Sequence, residues 1–190
     1  MSPRISVVVV AVPLAGVLAL SGCAGSGAST AAGVHESAPP RWVRIVPVST
    51  PETWYYVGAA IAPDAEAALE EARRDAFGQA AETARRRFRD LLDLAIRESE
   101  IETTSRERLS LRTEGGDDFA ARLAGIVSME ETYVGPCGDS GCRAFVLVSV
   151  GRTAGDRLLA ETVHWLRRKE SVASEERLVR LTDWMLRILG

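Results

Sequence analysis

The chain has 190 residues, enough for one ordinary domain and too few for two comfortable ones. Apolar residues make up 46% and charged residues 26%, with 16 Gly and 8 Pro, which excludes a wholly disordered chain, a collagen-like chain and a polytopic membrane protein. The formal charge is −3, so no net basic surface argues for nucleic acid as a partner, and the single lysine, Lys169, leaves little room for lysine-based covalent chemistry.

Residues 1–22 read as a secretory signal. Arg4 gives the positive start, Ile5 to Leu20 form a sixteen-residue apolar run, and Leu20-Ser21-Gly22-Cys23 follows. That run is short for a membrane span, which needs about 20 residues. The tetrad resembles the lipobox of bacterial lipoproteins, where cleavage falls before the cysteine and the thiol carries a diacylglyceryl group. Charge, run length, small residues and cysteine coincide, so Cys23 is the expected lipidation site. Two or three acyl chains would give stable anchoring, because each buried CH₂ is worth about 0.8 kcal/mol and one chain alone is marginal. Ala24 follows, and by the enterobacterial sorting rule the absence of aspartate there leans toward the outer membrane. Residues 1–22 are thus assigned as signal peptide, 23–40 as a lipidated flexible tether, and 41–190 as a single periplasmic domain.

Within the domain, Arg41 to Pro47 is read as extended, and Trp54-Tyr55-Tyr56-Val57-Gly58 as a strand rich in β-formers. A helix starts at Pro63-Asp64, with Asp64 as N-cap and Glu66 in the acidic first turn. Ala65, Ala68, Leu69, Ala72, Ala76, Ala80, Ala84 and Phe88 form its stripe, small enough for close packing on a sheet. Residues 97–112 fit either an edge strand or a continuing helix; the alternation of Glu98, Glu100 and Glu102 with Ser99, Ile101 and Thr103 favours strand. Gly115-Gly116 reads as a break, followed by a short helix capped by Asp117 or Asp118 and ending at Gly125. Ile126 to Val134 and Arg143 to Val150 are the arms of a hairpin, the second apolar enough to be central. Leu158, Leu159, Thr162, Val163 and Leu166 mark one closing amphipathic helix; Leu178, Leu181, Met185, Ile188 and Leu189 mark another. The fold class expected is therefore α+β: a small antiparallel or mixed sheet packed by a long alanine-rich helix, with two amphipathic helices at the C-terminus.

This order of features resembles the small bacterial outer-membrane lipoproteins of about twenty kilodaltons (the LPP-twenty type), which include outer-membrane antigens and some flagellar-assembly lipoproteins. The shared pattern is a lipobox and tether, Pro40-Arg41-Trp42-Val43, the aromatic strand Trp54 to Ala60, the alanine-rich helix, and a late apolar strand such as Phe145-Val146-Leu147-Val148. The chain departs from that pattern in the helical look of Arg89 to Leu94, in the cysteine loop and in the closing helices. The resemblance implies a compact α+β domain without an established catalytic site, and it carries over no functional residue beyond the lipobox.

Cys137 and Cys142 flank four residues between two strands, and in an exported chain they are expected to form a disulfide. Gly138-Asp139-Ser140-Gly141 between them resembles the nucleophile motif of trypsin-like proteases. The only histidine of the domain, His164, lies in an amphipathic helix and lacks the partners a triad needs. The densest basic cluster, Arg85, Arg86, Arg87 and Arg89, is one candidate interaction surface, and the aromatic pair Trp54 and Tyr56, whose rings could stack on sugars, is another. A P-loop, a dinucleotide fingerprint and the HExxH zinc motif are absent, and no cofactor or metal site is expected. The reading is a non-enzymatic, lipid-anchored envelope protein acting as a structural or assembly module. Its expected partners are the membrane, through the anchor, and other envelope proteins; a peptidoglycan- or glycan-binding module is the alternative, and an envelope hydrolase the third choice.

Overall fold

The structure, a computed structural model, describes residues 38–45 and 47–190. The signal segment, Cys23 and the tether up to residue 37 lie outside the described residues. Helix α1 (Arg41–Arg44) is followed by strand β1 (Thr53–Ala62), the long helix α2 (Ala65–Ser99) and helix α3 (Ser105–Ala124). Strands β2 (Ser128–Val134) and β3 (Cys142–Gly151) then form a hairpin, and α4 (Arg152–Arg168), α5 (Glu170–Ala173) and α6 (Glu176–Leu189) close the chain. The sheet is antiparallel, in the order β1-β3-β2. The fold is therefore α+β, with a long helix on a three-stranded sheet and helices at the C-terminus.

Alternation in β1 and β3 decides where α2 lies. Trp54, Tyr56, Gly58 and Ala62 of β1, with Cys142, Ala144, Val146, Val148 and Val150 of β3, are buried on one face. The alanines Ala68, Ala72, Ala76, Ala80 and Ala84 recur every four residues and face this layer. Gly58 makes the approach closer than any side chain permits, since a Cβ there would lie 1.9 Å from the Ala72 carbonyl oxygen and 2.4 Å from the Ala76 nitrogen. Leu147 and Ser149, on the opposite face of β3, are buried as well. There Trp42, 8% exposed, donates Nε1–H to Glu131 Oε2 at 2.5 Å, opposite Leu147 in the sheet register. The bulge at Glu130 brings a second carboxylate to that face, where it accepts from Ser149 Oγ at 2.5 Å. Arg41 to Arg44 are consequently helical rather than extended, because a turn at this point seats Trp42 on the outer face.

Helix α2 begins where the sequence placed it, with Asp64 Oδ1 accepting from the Ala67 N–H at 2.8 Å. Past the sheet its stripe changes to Phe88, Leu91, Leu92 and Ala95, packed against α3 and α6. Residues 97–112 hold no strand. The apolar stripe carries the helix to Ser99, Glu100 ends it in the left-handed region at φ 54°, and α3 starts five residues later. A reciprocal capping box sets that start, with Thr104 N–H donating to Glu107 Oε2 at 2.8 Å and Glu107 N–H to Thr104 Oγ1 at 3.2 Å.

Gly115 and Gly116 are buried inside α3 and break nothing. A Cβ at Gly115 would lie 2.0 Å from Phe88 Cζ, so the glycine is the seat of the Phe88 ring. Each mid-helix glycine costs about 1 kcal/mol relative to alanine, less than the about 3–5 kcal/mol at stake in a buried phenylalanine. Gly155 serves the same purpose in α4, where a Cβ would meet the Trp54 ring at 2.5 Å. In α6, Leu178, Leu181, Thr182 and Met185 are buried, so Met185 belongs to the core.

Candidate functional site

The arginine run does not make one patch. Successive helical residues turn by about 100°, so Arg85, Arg86, Arg87 and Arg89 leave α2 on three sides. Arg85 reaches α3 and pairs with Asp117, Nε to Oδ1, at 2.8 Å. Arg89 lines the same side, in a cleft with Arg85, Arg112 and Asp117. Arg87 turns toward the core, where its guanidinium sits 3.9 Å from the centroid of the Trp54 ring and 3.2 Å from Asp156 Oδ1. Burial pushes the Arg87 pKa down, against the field of Asp156, which raises it. Of the four, only Arg86 lines the open groove at the outer edge of β1.

Trp54 and Tyr56, at 7% and 9% exposure, are core residues and not a stacking surface. Arg87, Arg152 and Gly155 enclose the Trp54 ring. The Tyr56 phenol is pushed up by burial, offset in part by its hydrogen bond with Thr83 and by Arg87. The flat faces that glycan stacking requires at these two residues are occupied by protein.

Cys137 and Cys142 are at disulfide distance, with Cα atoms 4.1 Å apart. The loop between them is a tight turn closed by reciprocal backbone bonds, Gly138 N–H to Gly141 O at 3.1 Å and Gly141 N–H to Gly138 O at 2.9 Å. Gly141 has φ +97° and lies under the Ala62 carbonyl, 2.4 Å from where a Cβ would be, so no other residue fits there. Ser140 is an exposed residue of this turn and His164 an exposed residue of α4, with no hydrogen bond between them.

The site that the sequence reading missed runs along β1. As the first strand in the order, β1 leaves one edge without a strand partner, and α2 closes part of it with side chains. Ala59 N–H donates to Asp75 Oδ2 at 3.0 Å, and Gln79 Nε2 donates to the Val57 carbonyl at 3.0 Å. Beside these plugs lies an open groove of about 920 Å³, lined by Ile61 of β1 and by Glu71, Arg74, Gly78, Glu82 and Arg86 of α2. Ile61 is 51% exposed there. Among the described residues Glu71, Arg74 and Arg86 form no ion pair, and Glu82 has only a 3.9 Å contact with Arg85. Gly78 stands midway along the α2 wall, and a Cβ on it would meet nothing within 4 Å. No contact inside the domain explains a glycine at that point, and the signal available in the sequence was its isolation inside a strong helical pattern.

Among the described residues, no helix is long and apolar enough to cross a membrane, and no three His, Cys, Asp or Glu side chains gather to hold a metal ion. The chain matches no protein-family model, no curated protein and no solved structure.

Proposed function

We propose that the chain is a non-enzymatic lipoprotein of the bacterial cell envelope, held through Cys23 at the periplasmic face of the outer membrane and acting as a structural or assembly module. The observation that carries this reading is the coincidence of Arg4, the apolar run to Leu20, the tetrad Leu20-Ser21-Gly22-Cys23 and a polar tether ahead of a folded domain. The mechanism is positional. Lipid confines the domain to one surface and raises its effective concentration toward partners on that surface. A cysteine pair in the hairpin suits an oxidising compartment. The exposed groove beside β1, with its unpaired charges, supports contact with another protein more than turnover of a small molecule.

Replacement of Cys23 by alanine is the direct test. Cys23→Ala is expected to move the protein from the membrane to the soluble fraction and to abolish the acylated N-terminal peptide in mass spectrometry. Continued membrane attachment would sink the anchor. A photo-crosslinking probe at Arg86 in cells is expected to trap polypeptide, whereas adducts to glycan alone would replace the assembly reading with a wall-binding one.

A further inference from the structure

We infer that the α2 side of the β1 groove is the contact surface for a second copy of this chain, in a two-fold dimer whose axis passes at Gly78. The inference goes beyond the anchoring reading and does not depend on it.

Three observations converge. First, Gly78 has no packing role inside the domain and leaves bare backbone in the middle of a 35-residue helix. A glycine at a helix crossing lets a second backbone come close. Second, the charges flanking Gly78 are self-complementary when the helix is reversed. A two-fold axis at residue 78 sets Arg74, four residues before it, opposite Glu82 of the other copy, four residues after it, and the pair occurs twice. An antiparallel crossing therefore brings Arg74 onto Glu82, whereas a parallel one in the same register opposes Arg74 to Arg74 and Glu82 to Glu82. Third, Asp75 and Gln79 already occupy the free edge of β1 at Ala59 and Val57, so an added strand meets plugged hydrogen-bonding groups there. The groove therefore suits a helix face more than a β-strand, and closing it would cover the exposed Ile61 at its rim.

The test uses the full-length protein in the cells that make it. With a cysteine at the axis, Gly78→Cys is expected to give a disulfide-linked dimer on mild oxidation, while Arg89→Cys, on the α3 side of α2, does not. Arg74→Glu and Glu82→Arg are each expected to weaken the dimer by about tenfold or more, and the double variant to restore it, because the swapped pair faces itself across the axis. Gly78→Leu should abolish the dimer without lowering the thermal midpoint, which separates lost contact from lost fold. Absence of a Gly78→Cys dimer, cross-linking only to a different polypeptide, or a charge swap that fails to rescue would each overturn the proposal. None of these outcomes bears on Cys23→Ala.

Discussion

Helix α2 is one continuous element packed in two different ways. From Ala68 to Ala84 every fully buried residue of α2 is an alanine facing the sheet, and from Phe88 to Ala95 the buried residues are phenylalanine, leucine and one alanine set among helices. Each half meets one critical glycine on the opposing element. In the first half Gly58 of β1 touches helix backbone, at Ala72 O and Ala76 N; in the second, Gly115 of α3 touches the ring of Phe88. A side chain can change rotamer or be replaced, and a backbone cannot. The sheet half is thus fixed by geometry that no compensating mutation can mend, whereas the helical half is fixed by a fit between two side-chain positions.

The largest test of this contrast is Gly58→Val, which drives a branched side chain into the α2 backbone. We expect loss of the native fold, seen as absence of a cooperative urea transition, beyond the usual about 1–3 kcal/mol of overpacking. A cooperative transition near the wild-type midpoint would refute the close approach. Next comes Phe88→Ala, expected to cost about 3–5 kcal/mol through the cavity it leaves. Gly115→Ala should destabilise by itself, and much less in a Phe88→Leu background; a double-mutant cycle with no coupling would break the proposed fit. At the hairpin of the sheet half, Cys137→Ser with Cys142→Ser should cost about 2 kcal/mol, the loop-closure value for so short a ring.

The smallest effect is one of pH, and it belongs to the helical half. Glu107 has its pKa lowered, first by the backbone N–H of Thr104, then by the Thr104 hydroxyl and by Arg177 of α6. Glu114 is lowered by its hydrogen bonds with Lys169 and Ser110. A carboxyl depressed in the folded state contributes stability above its unfolded pKa, and that contribution is lost as pH falls through the folded value. Glu107→Gln should therefore lower the thermal midpoint at neutral pH, with the gap to wild type closing on acidification. A gap that widens in acid would reverse the assignment.

The start of α2, the hairpin and the two closing amphipathic helices were legible because each carries a local signal: a cap, a turn or a stripe. Helix α3 was hidden by two local resemblances. The alternation around Ile101 imitates a strand, although it covers only a loop and the end of α2, and Gly115-Gly116 imitates a break. The true signal was Thr104-Ser105-Arg106-Glu107, a capping box that outweighs the alternation. Nothing near Gly115 announces that Phe88, 27 positions earlier, needs the space. The arginine run looks like a patch in linear order and separates only when the helical turn is applied to it. Trp54 and Tyr56 followed strand alternation into the core, as aromatic strand residues commonly do.

The order β1-β3-β2 also sets a timetable. Ala62 pairs with Cys142, 80 positions later, and Thr53 with Gly151, 98 positions later, so the first strand waits for nearly the whole domain before it finds its neighbour. The hairpin of β2 and β3 and the pairing of α2 with α3 are short-range by comparison and close early. Pairing over such separations is slow, and until β3 arrives the aromatic face of β1 and the alanine face of α2 have only each other. A chain emerging from its N-terminus thus holds an unfinished apolar layer for most of its synthesis, and its final sheet zips only after the last strand is complete.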